Sequence, residues 1–89
     1  MDLQALLAAL QDMDVTVRRR AADALRRLKD SRTVELLIMA LQDADPDIRI
    51  NAAASLGHLR DARAVEFLII VLGDVHTEVR DSAACALVS

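Results

Sequence analysis

The chain has 89 residues, a net charge of −3, 54% hydrophobic residues and 28% charged ones, which bounds it to one small domain and excludes a disordered or membrane-spanning class. One aromatic residue, Phe67, two glycines and one proline stand against abundant Ala, Leu, Arg and Asp, which excludes a sandwich or barrel and favours helix. The acidic balance gives no support to a general nucleic-acid role, although residues 1–32 are net basic and residues 33–89 net acidic.

Six helices are expected in chain order: about 2–10, 15–28, 32–42, 46–59, 63–72 and 77–88. In the second, Val17, Ala21, Ala24, Leu25 and Leu28 recur at threes and fours, and Asp14 stands at the N-cap position. In the third, the stripe is Val34, Leu37, Ile38 and Leu41, with Asp30 or Ser31 as the cap. The fourth opens on Asp45-Pro46, a cap followed by a proline where no N–H is needed. Gly57 and Gly73 read as helix terminators, and His76 takes the capping place of Asp14 and Asp45. Connections of two to four residues make consecutive helices antiparallel. The first residues lack a basic segment followed by an apolar core, so no secretory signal is expected. The longest apolar run, Phe67 to Leu72, is too short to span a bilayer. The single Cys85 cannot form an intrachain disulfide and fits a reducing compartment, hence a cytoplasmic protein.

Shifted by thirty-one residues, the sequence lands on itself. Leu10, Leu41 and Leu72 align, as do Asp12, Asp43 and Asp74; Arg18, Arg49 and Arg80; Leu25, Leu56 and Leu87; and Leu6, Leu37 and Leu68. Ala21-Ala22 matches Ala52-Ala53 and Ala83-Ala84, and Asp30-x-Arg32-x-Val34-Glu35 matches Asp61-x-Arg63-x-Val65-Glu66. A fixed period of this length, with two helices per unit, is the mark of a solenoid, because one helical pair cannot bury its apolar stripe alone. The expectation is an all-α fold, an α-α superhelix of short helical hairpins forming one domain over residues 1–89. Its units are an incomplete repeat 1–10, repeats 11–41 and 42–72, and an incomplete repeat 73–89. Alanine pairs let neighbouring units approach closely. Polar capping units are absent at both ends, which points to a longer array or to copies that cap one another.

The pattern Asp-x-Asp-x-x-Val/Ile-Arg-x-x-Ala-Ala-x-x-Leu followed by Leu-x-Asp-x-Arg-x-Val-x-x-Leu-x-x-x-Leu covers almost the whole chain and resembles the short HEAT-like repeat of the phycobilisome-lyase type. The resemblance implies a right-handed solenoid, with the first helix of each pair on the convex side and the second on the concave side, where partners bind. It also implies a ladder between neighbouring units made by Asp12 and Arg18, Asp43 and Arg49, and Asp74 and Arg80, a structural role rather than a catalytic one. A further implication is an accessory subunit of a bilin lyase. The HEAT-like hydroxylases with a di-iron centre are not matched, since their His-Glu pairs are missing here.

No metal site is expected, because His58 and His76 stand apart and belong to no ligand-spaced pair, and no cofactor is expected. Both histidines read as surface residues. Cys85 has no basic or histidine neighbour to activate it, so the chain reads as a non-enzyme. Arg18, Arg19, Arg20, Arg26 and Arg27 form a basic patch on the second helix. It does not repeat in the next unit and has no stacking aromatics, so it reads as a solvated face or a patch for an acidic protein, with nucleic acid as the alternative. The core stripe of the 32–42 helix leaves Glu35, Leu36, Met39 and Ala40 for the concave face. The next unit places Glu66, Phe67, Ile70 and Val71 there. Apolar residues on such a face mark an interaction surface; the other reading is ordinary core. The expected function is a protein-interaction scaffold that binds protein partners, or a further copy of itself as a homo-oligomer, through this patch, away from any membrane.

Overall fold

The computed structural model describes residues 2–89. Six α-helices follow one another: α1 (Leu3–Leu10), α2 (Val15–Leu28), α3 (Val34–Ala40), α4 (Pro46–Leu59), α5 (Val65–Val71) and α6 (Thr77–Val88). Two 3-10 turns, Ser31–Thr33 and Ala62–Ala64, lead into α3 and α5. These turns shorten the second helices relative to the spans read from periodicity. Their cause is local: the Asp30 and Asp61 carboxylates accept the backbone N–H groups of Arg32 and Arg63, and the Thr33 hydroxyl donates back to the Asp30 carbonyl. Such Asx geometry tightens the chain before an α-helix can start.

Carboxylates also open the long helices. Asp14 accepts from the N–H of Thr16 at 2.9 Å and Asp45 from that of Ile48 at 3.1 Å. His76 holds the same position before α6 and makes no side-chain cap bond. Gly73 follows the end of α5, as expected, but the stop of α4 is not the expected one. Lys29 and Arg60 end α2 and α4 in the left-handed region, at φ 48° and 52°. Neither glycine has a positive φ. Gly57 is buried inside α4, and a Cβ there would lie 2.9 Å from the Ala86 backbone Cα of α6. It is a contact glycine, not a terminator.

The long helices α2, α4 and α6 lie side by side in one layer, and α1, α3 and α5 form the other. The first layer packs more closely, since its contacts run through Ala21, Ala22, Ala52, Ala53, Ala83 and Gly57, which let backbones approach. The core lies between the layers and repeats with the sequence: Leu6, Leu37 and Leu68; Ala21, Ala52 and Ala83; Leu25 and Leu56. Across the layers α1 packs on α2, α3 on α4 and α5 on α6, more extensively than α2 on α3. The tightest hairpins therefore straddle the turns at 11–14, 42–45 and 73–76, where the unit boundaries were expected. Counted this way, the described residues hold three two-helix hairpins.

Candidate functional site

Two features of the surface repeat with the fold: the outer face of α1, α3 and α5, and the polar rungs between hairpins. On the outer face, 100° of rotation per residue turns positions 35, 39 and 42 of the α3 segment to solvent and tucks 36 and 40 against the neighbouring helix. Glu35, Met39 and Gln42 are exposed, as are Gln4, Ala8 and Gln11 on the α1 side and Glu66, Ile70 and Gly73 on the α5 side. The face is thus three parallel strips, each with an apolar centre, Ala8, Met39 or Ile70. Ile70 is the most exposed of these large side chains, at 72%.

This corrects part of the patch read from the sequence. Leu36, Ala40 and Val71 are buried, because they fill the seam between adjacent second helices instead of facing outward. Leu36 lies beside Leu3 and Leu7 where α1 meets α3, and Phe67, half-buried, packs against the core. Met39, Ile70, Glu35 and Glu66 remain at the surface. Between α3 and α5 the seam opens into a groove of about 230 Å³ lined by Leu41, Gln42, Phe67, Ile70, Val71, Gly73 and Asp74. Glu35 also reaches across to Arg63 at 3.3 Å, linking the two hairpins along the rim.

The rungs are built from the aligned Asp and Arg residues. One oxygen of each Asp accepts a backbone N–H of its own turn: Asp12 from Asp14 at 2.8 Å, Asp43 from Asp45 at 2.9 Å, Asp74 from His76 at 2.9 Å. Each Arg clamps that same turn with Nη1 on backbone carbonyls, Arg18 on Asp12 and Met13, Arg49 on Asp43 and Ala44, and Arg80 on Asp74. The rest of the guanidinium reaches forward. Arg18 Nε meets Asp43 of the next hairpin at 3.0 Å, and Arg49 grips Asp74 with Nε at 2.7 Å and Nη2 at 3.1 Å. Each rung ties the turns of two neighbouring hairpins together through a nearly buried, charge-assisted pair. Burial pushes the Asp74 carboxyl up, but the bonds from Arg49 and from the His76 N–H, with the Arg49 charge, outweigh it and leave it below the usual carboxylate value.

The basic patch is largely neutralised. Arg18 is spent in a rung, Arg19 pairs with Asp45 at 2.7 Å and Asp47 at 3.7 Å, and Arg26 and Arg27 both pair with Asp23. Arg20 makes no ion pair among the described residues. The Arg19 hydrogen bond holds the Asp45 carboxyl below its ordinary range, and the Arg26 bond does the same for Asp23. His58 and Cys85 are exposed and line an open groove of about 310 Å³ between α4 and α6. Among the described residues no three His, Cys, Asp or Glu side chains stand close enough to share a metal ion, and no helix is long and apolar enough to cross a membrane.

The sequence does not single out Val65, Ile69 and Leu72, exposed on α5 and at its C-cap. Their repeat equivalents Val34, Ile38 and Leu41 are buried, so residue type alone could not separate them.

Two-helix hairpins stacked in two layers, with a repeated Asp–Arg rung between them, define an α-helical solenoid. The family model described as HEAT repeats matches residues 3–88, and the chain belongs to the HEAT-repeat family. Proteins built from these repeats are generally non-catalytic scaffolds for protein interactions. No curated protein matches the chain.

Proposed function

We infer that this protein is a protein-interaction scaffold whose binding surface is the outer face of α1, α3 and α5, centred on Met39, Phe67 and Ile70. The observation that carries this is Ile70, a large aliphatic side chain left open to solvent beside a groove floored by Phe67 and Val71. Burying one such side chain against a partner contributes about 1.5–3 kcal/mol. The flanking Gln4, Glu35, Gln42 and Glu66 form a polar rim that fits the usual anatomy of a non-obligate interface. The strip grows from Ala8 to Met39 to Ile70, so an extended segment or a helix laid across the three helices would be read most strongly at the α5 end.

The bilin-lyase reading finds less support. The groove's 230 Å³ falls below the roughly 300–1,000 Å³ of small-molecule pockets. A nucleic-acid reading loses most of its cations to the Asp pairings on α2.

Peptides selected from a random display library on the immobilised chain test the scaffold reading. Binders should lose at least about tenfold in affinity with Ile70→Glu, and change little with Arg20→Ala on the opposite layer. Equal affinity for wild type and Ile70→Glu would sink the reading. Both positions are exposed, so the fold should tolerate either change.

A further inference from the structure

The rungs and the buried seams both run one way along the stack, and each has an unfilled position at the two ends of these 89 residues. Arg18 reaches Asp43 and Arg49 reaches Asp74, while Arg80, held on its own turn through Nη1 and on Thr77 through Nη2, meets no carboxylate among the described residues. At the other end the Asp12 carboxylate holds its own turn and receives no guanidinium among the described residues. The apolar seam shows the same asymmetry. Val34 is 0% exposed and Val65 45%; Ile38 is 9% and Ile69 54%; Leu41 is 3% and Leu72 40%. Position for position, the difference is whether a further hairpin lies ahead.

We propose that the chain associates with itself head to tail, in repeat register, the α1–α2 hairpin of one copy stacking on the α5–α6 hairpin of another so that Arg80 of the first bonds Asp12 of the second. Three repeats of thirty-one residues place residue n of the second copy ninety-three positions on, which puts Asp12 where Arg80 needs an Asp. In that register α1 brings Ala5 and Ala9 over Ile69, as α3 brings Leu36 and Ala40 over α1 within the chain. The groove of about 300 Å³ that Leu56, Val65, Leu68 and Leu87 line at this end is then covered. One apposition opposes it. The Arg19–Asp45 pair of the first junction becomes Asp81 against Asp14, two carboxylates. The contact is heterologous, so each added copy leaves the same two faces free, and the association grows instead of stopping at a dimer. It uses the seam edges of α1 and α5 at the ends of the stack and stands independently of the strip centred on Met39 and Ile70.

Sedimentation of the 89-residue chain over a range of concentrations tests this. The wild type should give a weight-average mass that rises past the dimer. Asp12→Asn, which keeps the turn acceptor but drops the charge, should weaken association by about tenfold or more, and Asp81→Arg, which rebuilds the Arg19–Asp45 pair, should tighten it about threefold or more. Complementation fixes the geometry. Ile69→Glu blocks one end and Ala5→Glu the other, both at exposed sites, so each variant alone should be monomeric and their equimolar mixture should form a dimer and nothing larger. A wild type that stays monomeric at millimolar concentration overturns the proposal. So does an Ala5→Glu chain that still dimerises alone, since that requires two α5 faces to meet each other.

Discussion

At the scale of the residue, Gly57 shows how one position sets the spacing of two helices. A glycine inside a helix costs about 0.5–1 kcal/mol relative to alanine. Its repeat equivalents are Arg26 and Val88, so no backbone demand of the repeat calls for glycine here. The contact explains it: an added Cβ would meet the Ala86 Cα at 2.9 Å and its Cβ at 3.0 Å, and backbone cannot swing aside as a flexible side chain can. Gly57→Ala is therefore expected to destabilise by about 1–2 kcal/mol, because overpacking outweighs the gain in helix propensity. Urea unfolding followed by circular dichroism measures it; a variant more stable than wild type would show that α4 and α6 have room to part. Lys29 and Arg60 present the opposite case. They occupy the left-handed conformation that glycine takes most easily, and the helices end there because the Asp30 and Asp61 turns that follow demand it.

Between elements, the rungs carry unequal weight. In Arg49–Asp74 both side chains are nearly buried, and the guanidinium also satisfies two carbonyls of its own turn. Removing it strands a nearly buried carboxylate and two acceptors. Arg49→Gln should cost about 2–4 kcal/mol. The exposed Arg32 pairs with Asp30 within one turn, and Arg32→Gln should cost less than about 1 kcal/mol. Comparing the two urea midpoints decides whether the ladder or the surface pairs hold the hairpins in line; equal losses would deny the ladder that role. The same geometry explains why the Asp and Arg stand six apart. The Arg is the fourth residue of its helix, about one turn above the Asp-bearing loop, near enough for Nη1 to return to its carbonyls and for Nε to reach the next loop.

Across the whole molecule, the carboxylates set the response to acid. The Arg63 hydrogen bonds hold the Asp61 carboxyl at about 2, against an ordinary 3.8, and Asp74, Asp45, Asp30 and Asp23 are shifted the same way. A carboxyl whose folded value lies below its unfolded one stabilises the fold above the unfolded value and loses that contribution as pH falls through the folded value. Stability should be flat from pH 7 to about 5 and fall between about 4 and 2. Asp61→Asn should flatten the lower part of that fall in urea midpoints measured against pH. An unchanged profile would mean that Asp61 and Arg63 separate in solution.

The sequence by itself determined the helices, their caps at Asp14 and Asp45, the two-layer stack and the repeating centre of the core at Leu6, Leu37 and Leu68, because a thirty-one-residue period with a 3.6-residue stripe inside it admits few other folds. It placed Asp and Arg at the right spacing for a rung. It also put an apolar patch on the second helices, but one helical position too wide. Leu36 and Met39 look alike as apolar residues off the main stripe. Only the packing of α1, α3 and α5 against one another decided that the first fills a seam and the second faces out. The tertiary structure likewise decided what Gly57 is for, since the atom it must avoid lies twenty-nine residues away on another helix. Val34 and Val65 make the same point: identical residues in identical local patterns, one buried and one open, because burial depends on what stacks ahead and the local pattern does not record it.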